Sequence, residues 1–525
     1  MKVLSIAALS AAVLLNAPLA ADALERGGVM TYGRYADSLF LDPVLNDANV
    51  DIWVLSNIYD TLLLPTADGK GAVPGLATAW VVSEDGKKVT LTLREGTKFS
   101  DGTPITAEDV VWSLKRAATP DNGIWGFLIS SIADVTAPDA KTIEITLSHP
   151  DPAIIPALTV FNTAILPKAA FEASAGTTEA EKAQSFSEHP IGSGPFVLES
   201  WERGSTMKLV KNQYYWDMGE DNQPLPYLDG VTFEVIPDDA TRILRLQSGD
   251  LQGAEFIPYA RVAELKAAEG INMEMFPSTR VEYISLNVRP EINGVANPLS
   301  NAKVREALNY ATDKEAIIQI ITHGVGTPLT SFMSSATPMH VGDTPLFPHD
   351  TEKAKALLAE AGFPDGFSTE LLVLAGNQDE TGIATALQQM WAAIGVKLEL
   401  KQVDNATRTD QYRKGIFTMR VAAWTNDIAD ASQITSYFAY SPTIDALHSG
   451  WKNAEVDALF EASQSERDEQ KRQEQFARIQ EIFNAEGPTI PLYETPYPVA
   501  LSNSVKGFVQ IPLGNNIFRS AHIEK

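Results

Sequence analysis

Segments in which apolar and polar residues alternate predominate in the N-terminal half of the chain. Val89, Leu91 and Leu93 alternate with polar neighbours, which is the pattern of a strand with one buried face. Similar patterns predict strands at residues 142–147 and 196–201. This half of the chain is therefore expected to contain half-buried strands.

Helical segments are interspersed with these strands. Thr106 is followed three residues later by Asp109, which is the spacing of a capping box, and a helix is predicted over residues 107–118. An apolar stretch at residues 52–64, which stops before a proline, predicts a second helix. The strand around residues 89–93, the helix at 107–118 and the strand at 142–147 together indicate an α+β unit around residues 68–189.

The pattern changes after about residue 297, where helices and strands alternate. Val304 and Leu308 lie on one face of a predicted helix, and Thr312 with Glu315 predicts a capping box for the next helix. A predicted helix at 383–394 is followed by an alternating strand at 396–403. This order is typical of an α/β unit with a partly parallel sheet.

Composition and charge narrow the classes of partner. The 525 residues carry a formal net charge of −26, which disfavours nucleic acid and anionic membrane surfaces as partners. The chain contains no cysteine, so disulfides, thiolate metal sites and a cysteine nucleophile are excluded. With 44% hydrophobic residues, the chain has enough apolar surface for several globular cores.

The N-terminus is typical of a secretory signal. Lys2 precedes an apolar run at residues 3–15, and Ala21-Asp22-Ala23 supplies a small-residue cleavage site. The run is shorter than the 18 to 20 residues, roughly, that a membrane anchor needs. We predict that residues 1–23 are removed and that the mature protein is periplasmic, with no direct membrane insertion.

The loop at residues 422–430 is the strongest candidate ligand site. It follows a predicted strand at 415–421, and loops at strand ends commonly hold ligands in α/β proteins. Asp427 is predicted to anchor a ligand there; the alternative is a solvated or turn-capping acid. Tyr35 and Asp37 lie on another strand-exit loop and are also candidate ligand residues, the alternative being plain solvation.

Enzymatic and metal chemistry find little support in the sequence. The turn at Gly192-Ser193-Gly194 lacks the spacing of a nucleophile elbow. His340 and His349 share a loop with aspartates but lack zinc-helix spacing. We therefore predict no enzyme activity, no metal and no cofactor, with a secreted hydrolase as the rival class.

Several sequence blocks resemble one known family. The chain is similar to the extracytoplasmic solute-binding proteins of the peptide, nickel and opine class (family 5), which serve ATP-binding-cassette (ABC) importers. The blocks follow one another along the chain and lie at residues 74–77, 99–110, 190–196, 304–314, 353–362 and 491–493.

The resemblance implies a fold and a division into domains. It implies an α/β, two-lobed periplasmic-binding-protein fold, class II-like, with an additional α+β domain. Lobe I would comprise residues 24–67, 190–288 and 500–525, the additional domain residues 68–189, and lobe II residues 289–499. The protein would be a monomer that delivers its ligand to a membrane permease.

The resemblance also implies roles at the candidate site. In peptide-binding members, a tryptophan followed three residues later by an aspartate supplies the carboxylate that pairs with the ligand ammonium. Trp424 and Asp427 match this pattern, and Thr425 and Asn426 between them are expected to line the same site.

The resemblance does not supply a residue that would pair with the C-terminal carboxylate of a peptide ligand. Dipeptide-specific members carry an arginine in the region that corresponds to residues 376–382, and this chain has none there. Arg408 and Arg413 are the alternatives considered. A longer peptide, an opine-like conjugate, a nickel chelate or another cationic solute therefore remain open as ligands.

Overall fold

Three main sheets organise the chain. The computed structural model describes residues 25–46, 48–119, 123 and 125–524. The predicted signal sequence and its cleavage site lie outside the described residues. None of the described helices is long and apolar enough to cross a bilayer.

The strands are short and most are paired with neighbours distant in sequence. In chain order they are β1 (Val29–Arg34), β2 (Leu63–Pro65), β3 (Ala72–Pro74), β4 (Ala77–Val82), β5 (Lys88–Leu93), β6 (Ile132–Thr136), β7 (Thr142–Leu147), β8 (Phe196–Glu202), β9 (Thr206–Lys211), β10 (Gly230–Val235), β11 (Gly253–Ala254), β12 (Ile271–Phe276), β13 (Val281–Leu286), β14 (Glu291–Ile292), β15 (Val295–Ala296), β16 (Thr327–Pro328), β17 (Ser368–Leu374), β18 (Lys397–Val403), β19 (Met419–Trp424), β20 (Thr489–Glu494), β21 (Tyr497–Ser502), β22 (Val505–Lys506), β23 (Val509–Gln510), β24 (Asn516–Ile517) and β25 (His522–Ile523).

The helices cover the sheets. In chain order they are α1 (Asn49–Ile58), α2 (Ala107–Ala118), α3 (Ile154–Ala157), α4 (Lys168–Glu172), α5 (Glu179–Glu188), α6 (Asp239–Gln247), α7 (Tyr259–Lys266), α8 (Ala302–Tyr310), α9 (Lys314–Ile321), α10 (Thr351–Glu360), α11 (Gln378–Ala392), α12 (Asn405–Arg413), α13 (Ala431–Phe438), α14 (Ser441–Asp445), α15 (Ala454–Ser463) and α16 (Glu469–Glu486).

Lobe I is built on a seven-stranded sheet with the order β12-β21-β11-β1-β10-β9-β8. β1 runs parallel to β10 and β11, whereas β21 pairs antiparallel with β11 and β12. Strands from the start, the middle and the end of the chain thus share this sheet.

Lobe II is built on a six-stranded sheet with the order β16-β20-β13-β19-β17-β18. β17 is parallel to β18 and β19, while β13 is antiparallel to β19 and β20. The partly parallel sheet predicted for this part of the chain is confirmed.

A four-stranded antiparallel sheet, β4-β5-β7-β6, lies within residues 68–189. α2 packs against it and begins at Thr106 with the predicted capping box, since the Thr106 and Asp109 side chains both bond the reciprocal backbone N–H. Buried Leu91 and Ile145 of this sheet belong to the same apolar cluster as Val231 of lobe I. The additional α+β unit therefore shares a core with lobe I.

Two segments carry the chain between the lobes. Residues 277–280 join β12 of the first sheet to β13 of the second, and residues 495–496 join β20 to β21. The expected lobe boundaries at residues 288/289 and 499/500 were placed too late, because β13 pairs in lobe II and all of β21 pairs in lobe I. The lobe boundaries are therefore set by pairing between strands that are distant in sequence.

Three local expectations also differ from the structure. The helix expected at 52–64 is α1 at Asn49–Ile58, because Leu62 instead accepts backbone hydrogen bonds from Gly75 and Ala77. The N-cap of α9 is Asp313 rather than Thr312, whose hydroxyl bonds the carbonyl of Leu308. The strand expected at 415–421 begins only at Met419 and continues to Trp424.

Candidate ligand-binding cleft

A cavity of about 1030 Å³ lies between the two lobes, a volume at the upper end of the usual range for small-molecule sites. Tyr35, Trp53 and Phe256 line it from lobe I, and the loop that follows β19 lines it from lobe II. Phe161 of the additional unit closes one side. The cleft is therefore built by all three parts of the chain.

The loop after β19 is held by bonds to its backbone. The N–H of Asn426 donates to the hydroxyl of Thr279, which lies in a segment that crosses between the lobes (2.9 Å). The N–H groups of Asp427 and Ile428 both donate to Oε1 of Gln433 (2.8 and 3.1 Å). The backbone on either side of the Asp427 carboxylate is thereby fixed.

A buried ion pair holds the end of the loop. Asp430 caps α13 by accepting from the N–H of Ser432 (2.8 Å). Its two oxygens also accept one bond each from Arg472 of α16, both at 2.8 Å. Burial opposes ionisation, but this bidentate pair holds the pKa of Asp430 below its ordinary value.

Asp427 is in a different electrostatic environment. Its carboxylate accepts one bond from Nε2 of Gln433 (2.6 Å), and it is otherwise part-buried against the cavity. Burial raises its pKa to about 6, against a small opposing effect of the Gln433 bond. Across residues 25–46, 48–119, 123 and 125–524, no lysine, arginine or histidine lies within 4.0 Å of this carboxylate.

Other buried or part-buried carboxylates of the cavity wall have cationic partners. Glu255 pairs with Arg34 (3.2 Å), and both side chains are buried. Glu380 pairs with Arg408 (2.8 Å). Acids outnumber basic groups in the wall: Arg280 and His323 face Asp239, Glu255, Glu282, Asp379, Glu380 and Asp427.

Arg280 is the arginine of the cleft, and sequence reasoning missed it. It lies in the crossing segment just before β13, pairs with Glu282, and keeps 45% of its side chain exposed. Burial raises the pKa of Glu282, and Arg280 opposes that effect. The two arginines considered earlier do not line the cavity: Arg408 is held by Glu380, and Arg413 is exposed on α12.

Aromatic rings form much of the lobe I wall. The ring of Phe256 lies 4.6 Å from that of Tyr35 and 5.0 Å from that of Trp53, nearly parallel to the latter. Phe256 is partly exposed despite its size. Tyr497, at the start of β21, lies near enough to Asp427 for the carboxylate to help raise the tyrosine pKa, after the larger effect of burial.

The structure brings four of the six sequence-predicted site residues to the cavity: Asp427, Thr425, Asn426 and Tyr35. Trp424 instead stacks on Tyr437 with ring centroids 4.2 Å apart, and its indole N–H donates to Asn426 (2.7 Å).

Asp37 is also directed elsewhere. Its carboxylate accepts from the indole of Trp201 (3.0 Å) and from the N–H of Gly204 (2.7 Å). Asp37 therefore caps a hairpin of lobe I and is not part of the cavity wall.

Histidines and acids do not combine into a metal centre in the described residues, where no group of three such side chains is arranged to hold an ion. His340 is bonded to the hydroxyl of Thr330 (2.9 Å), and His349 lies beside Asp313.

Comparison with known proteins gives the family. Residues 71–445 match the model of the bacterial extracellular solute-binding proteins, family 5 Middle. The chain belongs to this family. A glutathione-binding protein GsiB from Salmonella typhimurium is 32% identical over 447 residues, which cover 83% of each chain.

Solved structures of this family share the fold. HbpA2 from Haemophilus parasuis superposes with a TM-score of 0.85 at 28% identity, covering 95% of this solute-binding protein and all of that chain. The periplasmic binding protein DppA from Helicobacter pylori, in complex with the peptide STSA, gives 0.76 at 25% identity, over 95% and 99% of the two chains. The two-lobed α/β fold is confirmed.

Proposed function

We propose that this protein captures a peptide or a related solute with a free ammonium group, and passes it to the permease of an ABC importer. The observation that carries the proposal is Asp427: a part-buried carboxylate that faces the cleft without a cationic partner in the described chain, beside wall acids that have one. Binding rather than catalysis is the activity that this arrangement supports.

The energetics favour a ligand ammonium at this position. A carboxylate that gives up water without gaining a partner is disfavoured, which is why burial raises the pKa of Asp427. An ammonium group would restore charge-assisted hydrogen bonds at the free carboxylate oxygen. Ligands that bring no cation would leave the acid enclosed and unpaired, at a cost of about 2–5 kcal/mol.

Arg280 is our candidate for the far end of the ligand. Its guanidinium faces the cavity and is only partly committed to Glu282. A ligand carboxylate would share this arginine by a bidentate contact. Peptides have both an ammonium and a carboxylate, and the names of the glutathione-binding and peptide-bound relatives support a ligand of this kind.

Closure of the lobes would complete the site. The loop of Asp427 belongs to lobe II, whereas the aromatic wall of Tyr35, Trp53 and Phe256 belongs to lobe I. The lobes are joined by two short segments, 277–280 and 495–496, which is the arrangement of a hinge. We infer that the ligand is enclosed as the lobes approach.

The proposed setting is extracytoplasmic. The expected signal at residues 1–23 and the family description support secretion, and we propose a periplasmic, monomeric protein that meets its permease after ligand capture.

Ligand identity is testable by calorimetry and by the unfolding midpoint. A tripeptide such as trialanine and reduced glutathione should bind and should raise the midpoint with concentration, as expected for ligands of the folded state. Blocking the ammonium by N-acetylation should weaken binding at least about tenfold. Asp427→Asn should weaken the binding of ligands with a free amino group to the same extent. Asp379→Asn, which removes one charge from the same wall, is the matched control.

Other outcomes would redirect the proposal. Equal affinity for free and acetylated peptides would contradict the proposal that Asp427 pairs with the ligand ammonium. Midpoint shifts with a nickel chelate or an opine-like conjugate, but with no peptide, would replace the ligand class. Turnover of a peptide or ester, abolished by a single substitution, would support a hydrolase instead. Native mass spectrometry of protein purified from its host would identify a retained ligand directly.

A further inference from the structure

A second cavity of about 430 Å³ lies inside lobe I, at its junction with the four-stranded unit. The C-terminal end of α1, the segment after β9 and the C-terminal segment of the chain form its walls. Met218, which is 51% exposed, is among its lining residues. Its volume is suited to one small molecule.

Opposite charges line this cavity without forming an ion pair. Asp60 is 2% exposed and accepts one hydrogen bond from the indole of Trp216 (2.8 Å). Arg519 lines the same cavity, and in the described part of the chain no carboxylate lies within 4.0 Å of its guanidinium. Buried charges are ordinarily paired, so two unpaired groups of opposite charge in one cavity are candidates to bind a charged ligand.

Two buried hydroxyls reinforce this conclusion. Tyr215 and Ser56 line the cavity, and their side-chain oxygens lie just behind its surface, inaccessible to solvent and without a hydrogen-bond partner of good geometry among the described residues. Arg519 lies beside the Tyr215 hydroxyl and near Asp217 and Asp60; burial lowers its pKa, and these neighbours together raise it above its ordinary value. A buried hydroxyl without a partner is costly, and such groups are rare unless a ligand or water satisfies them.

The rest of the wall combines further titratable residues, Asp217, Glu220 and His522, with an apolar surface. Leu55, Leu64, Phe161, Ile511 and Ile517 form that apolar surface. The cavity therefore offers carboxylates, a guanidinium and a hydrocarbon surface. This combination fits a small zwitterion with an apolar substituent.

We propose that this second cavity binds a free α-amino acid with an apolar side chain. Its ammonium group would lie at Asp60, its carboxylate at Arg519 with the Tyr215 hydroxyl as an additional donor, and its side chain against the apolar wall. This site is distinct from the Asp427 site of the cleft.

Charge balance favours a complete small ligand over the end of a longer one. Both charges of an amino acid find partners inside the cavity, whereas a peptide terminus would bring only one. Burial raises the pKa of Asp60 to about 7, and a bound ammonium would hold it ionised. The cavity shares Phe161, Ile511 and Asn515 with the wall of the cleft, so a ligand that spans both cavities is the alternative that the experiment must separate.

Ligand chemistry provides the first test. Calorimetric titration with L-leucine should give one site, both in the wild-type protein and in Asp427→Asn. N-acetyl-leucine and leucine methyl ester, which each remove one charge, should bind at least about tenfold more weakly. Equal binding of the three compounds, no binding of leucine, or loss of leucine binding in Asp427→Asn would overturn the proposal.

Substitutions provide the second test. Arg519→Gln and Asp60→Asn should each weaken the binding of leucine at least about tenfold. Both should leave the affinity of the cleft for peptides unchanged. Tyr215→Phe removes only the unpartnered hydroxyl, so the fold should be retained while leucine binds more weakly. Tyr214→Phe, beside it and outside the cavity, is the matched control.

Leucine affinity unchanged in Arg519→Gln and Tyr215→Phe would refute the site. Because the cleft is tested with peptides and Asp427, failure of this inference and failure of the proposed function are distinguishable.

Discussion

Replacing Asp427 by asparagine should stabilise the ligand-free protein at neutral pH. The carboxylate is part-buried, has no cationic partner in the described chain, and accepts a single bond from Gln433. Asparagine keeps an oxygen that can accept that bond and removes the charge. The site should therefore be more stable without the residue that is proposed to bind the ligand.

The pKa sets the size and the pH range of this effect. Burial raises the pKa of Asp427 from 3.8 to about 6, so the folded state binds the proton more tightly than the unfolded state. The contribution of Asp427 is thus most favourable below about pH 4 and is lost as the pH rises through about 6. Two units of pKa correspond to at most about 3 kcal/mol, and partial access to solvent lowers this to about 1–2 kcal/mol.

Urea denaturation from about pH 4 to about pH 8 measures the effect. The free energy of unfolding of Asp427→Asn should match that of the wild type at the acidic end, and exceed it increasingly up to about pH 7. Asp379→Asn removes the same charge from an exposed position and should show a much smaller difference. A variant that is less stable than the wild type at about pH 8 would refute the reasoning, because it would reveal an internal partner for the carboxylate.

Three further results are expected. Arg280→Gln should weaken peptides with a free C-terminal carboxylate about tenfold or more and leave C-terminally amidated peptides unaffected in calorimetric titrations; equal losses would exclude a direct contact. Removing one partner of the buried Asp430–Arg472 pair should lower the free energy of unfolding by about 3–5 kcal/mol at neutral pH. Since the pKa of Asp430 is depressed, that loss should shrink as the pH falls through it, and a pH-independent loss would contradict the ionic origin. Saturating ligand should reduce the radius of gyration in solution scattering, and an unchanged radius would contradict hinge closure.

Local features of the fold were predictable because their causes are local. The capping box at Thr106 and Asp109 requires only the four residues of one helical turn, and α2 has the predicted bounds. The parallel pairing of β17 and β18 follows from a strand, a helix and a strand in succession. The lobe boundaries were misplaced because they depend on the pairing of β13 and β21 with strands far away in sequence.

Trp424 shows why an adjacent residue need not share a site. It is the last residue of β19. Its neighbours Ala422, Ala423 and Thr425 all line the cleft, so the alternation of side chains along a strand does not separate Trp424 from them. Trp424 instead packs on Tyr437 of α13, a contact that the residues around position 424 do not reveal.

Arg280 was missed for a different reason. No motif marks it, since its importance comes from the crossing segment that carries it into the cleft beside Glu282. The expected arginine near residues 376–382 was sought by resemblance, and the wall there instead carries acids, of which Glu380 is neutralised by Arg408. The position of a charge in space, and not its position in sequence, decides which ligand end it can meet.

The Asp427 loop combines a fixed backbone with an incompletely bonded carboxylate. Thr279, Gln433 and the Asp430–Arg472 pair hold the chain on both sides, which fixes the backbone of Asp427 at the wall of the cleft. The fold thereby accepts a cost in the free state that a ligand ammonium would relieve in the bound state. The cost is itself a source of specificity, because a ligand without a cation would not relieve it.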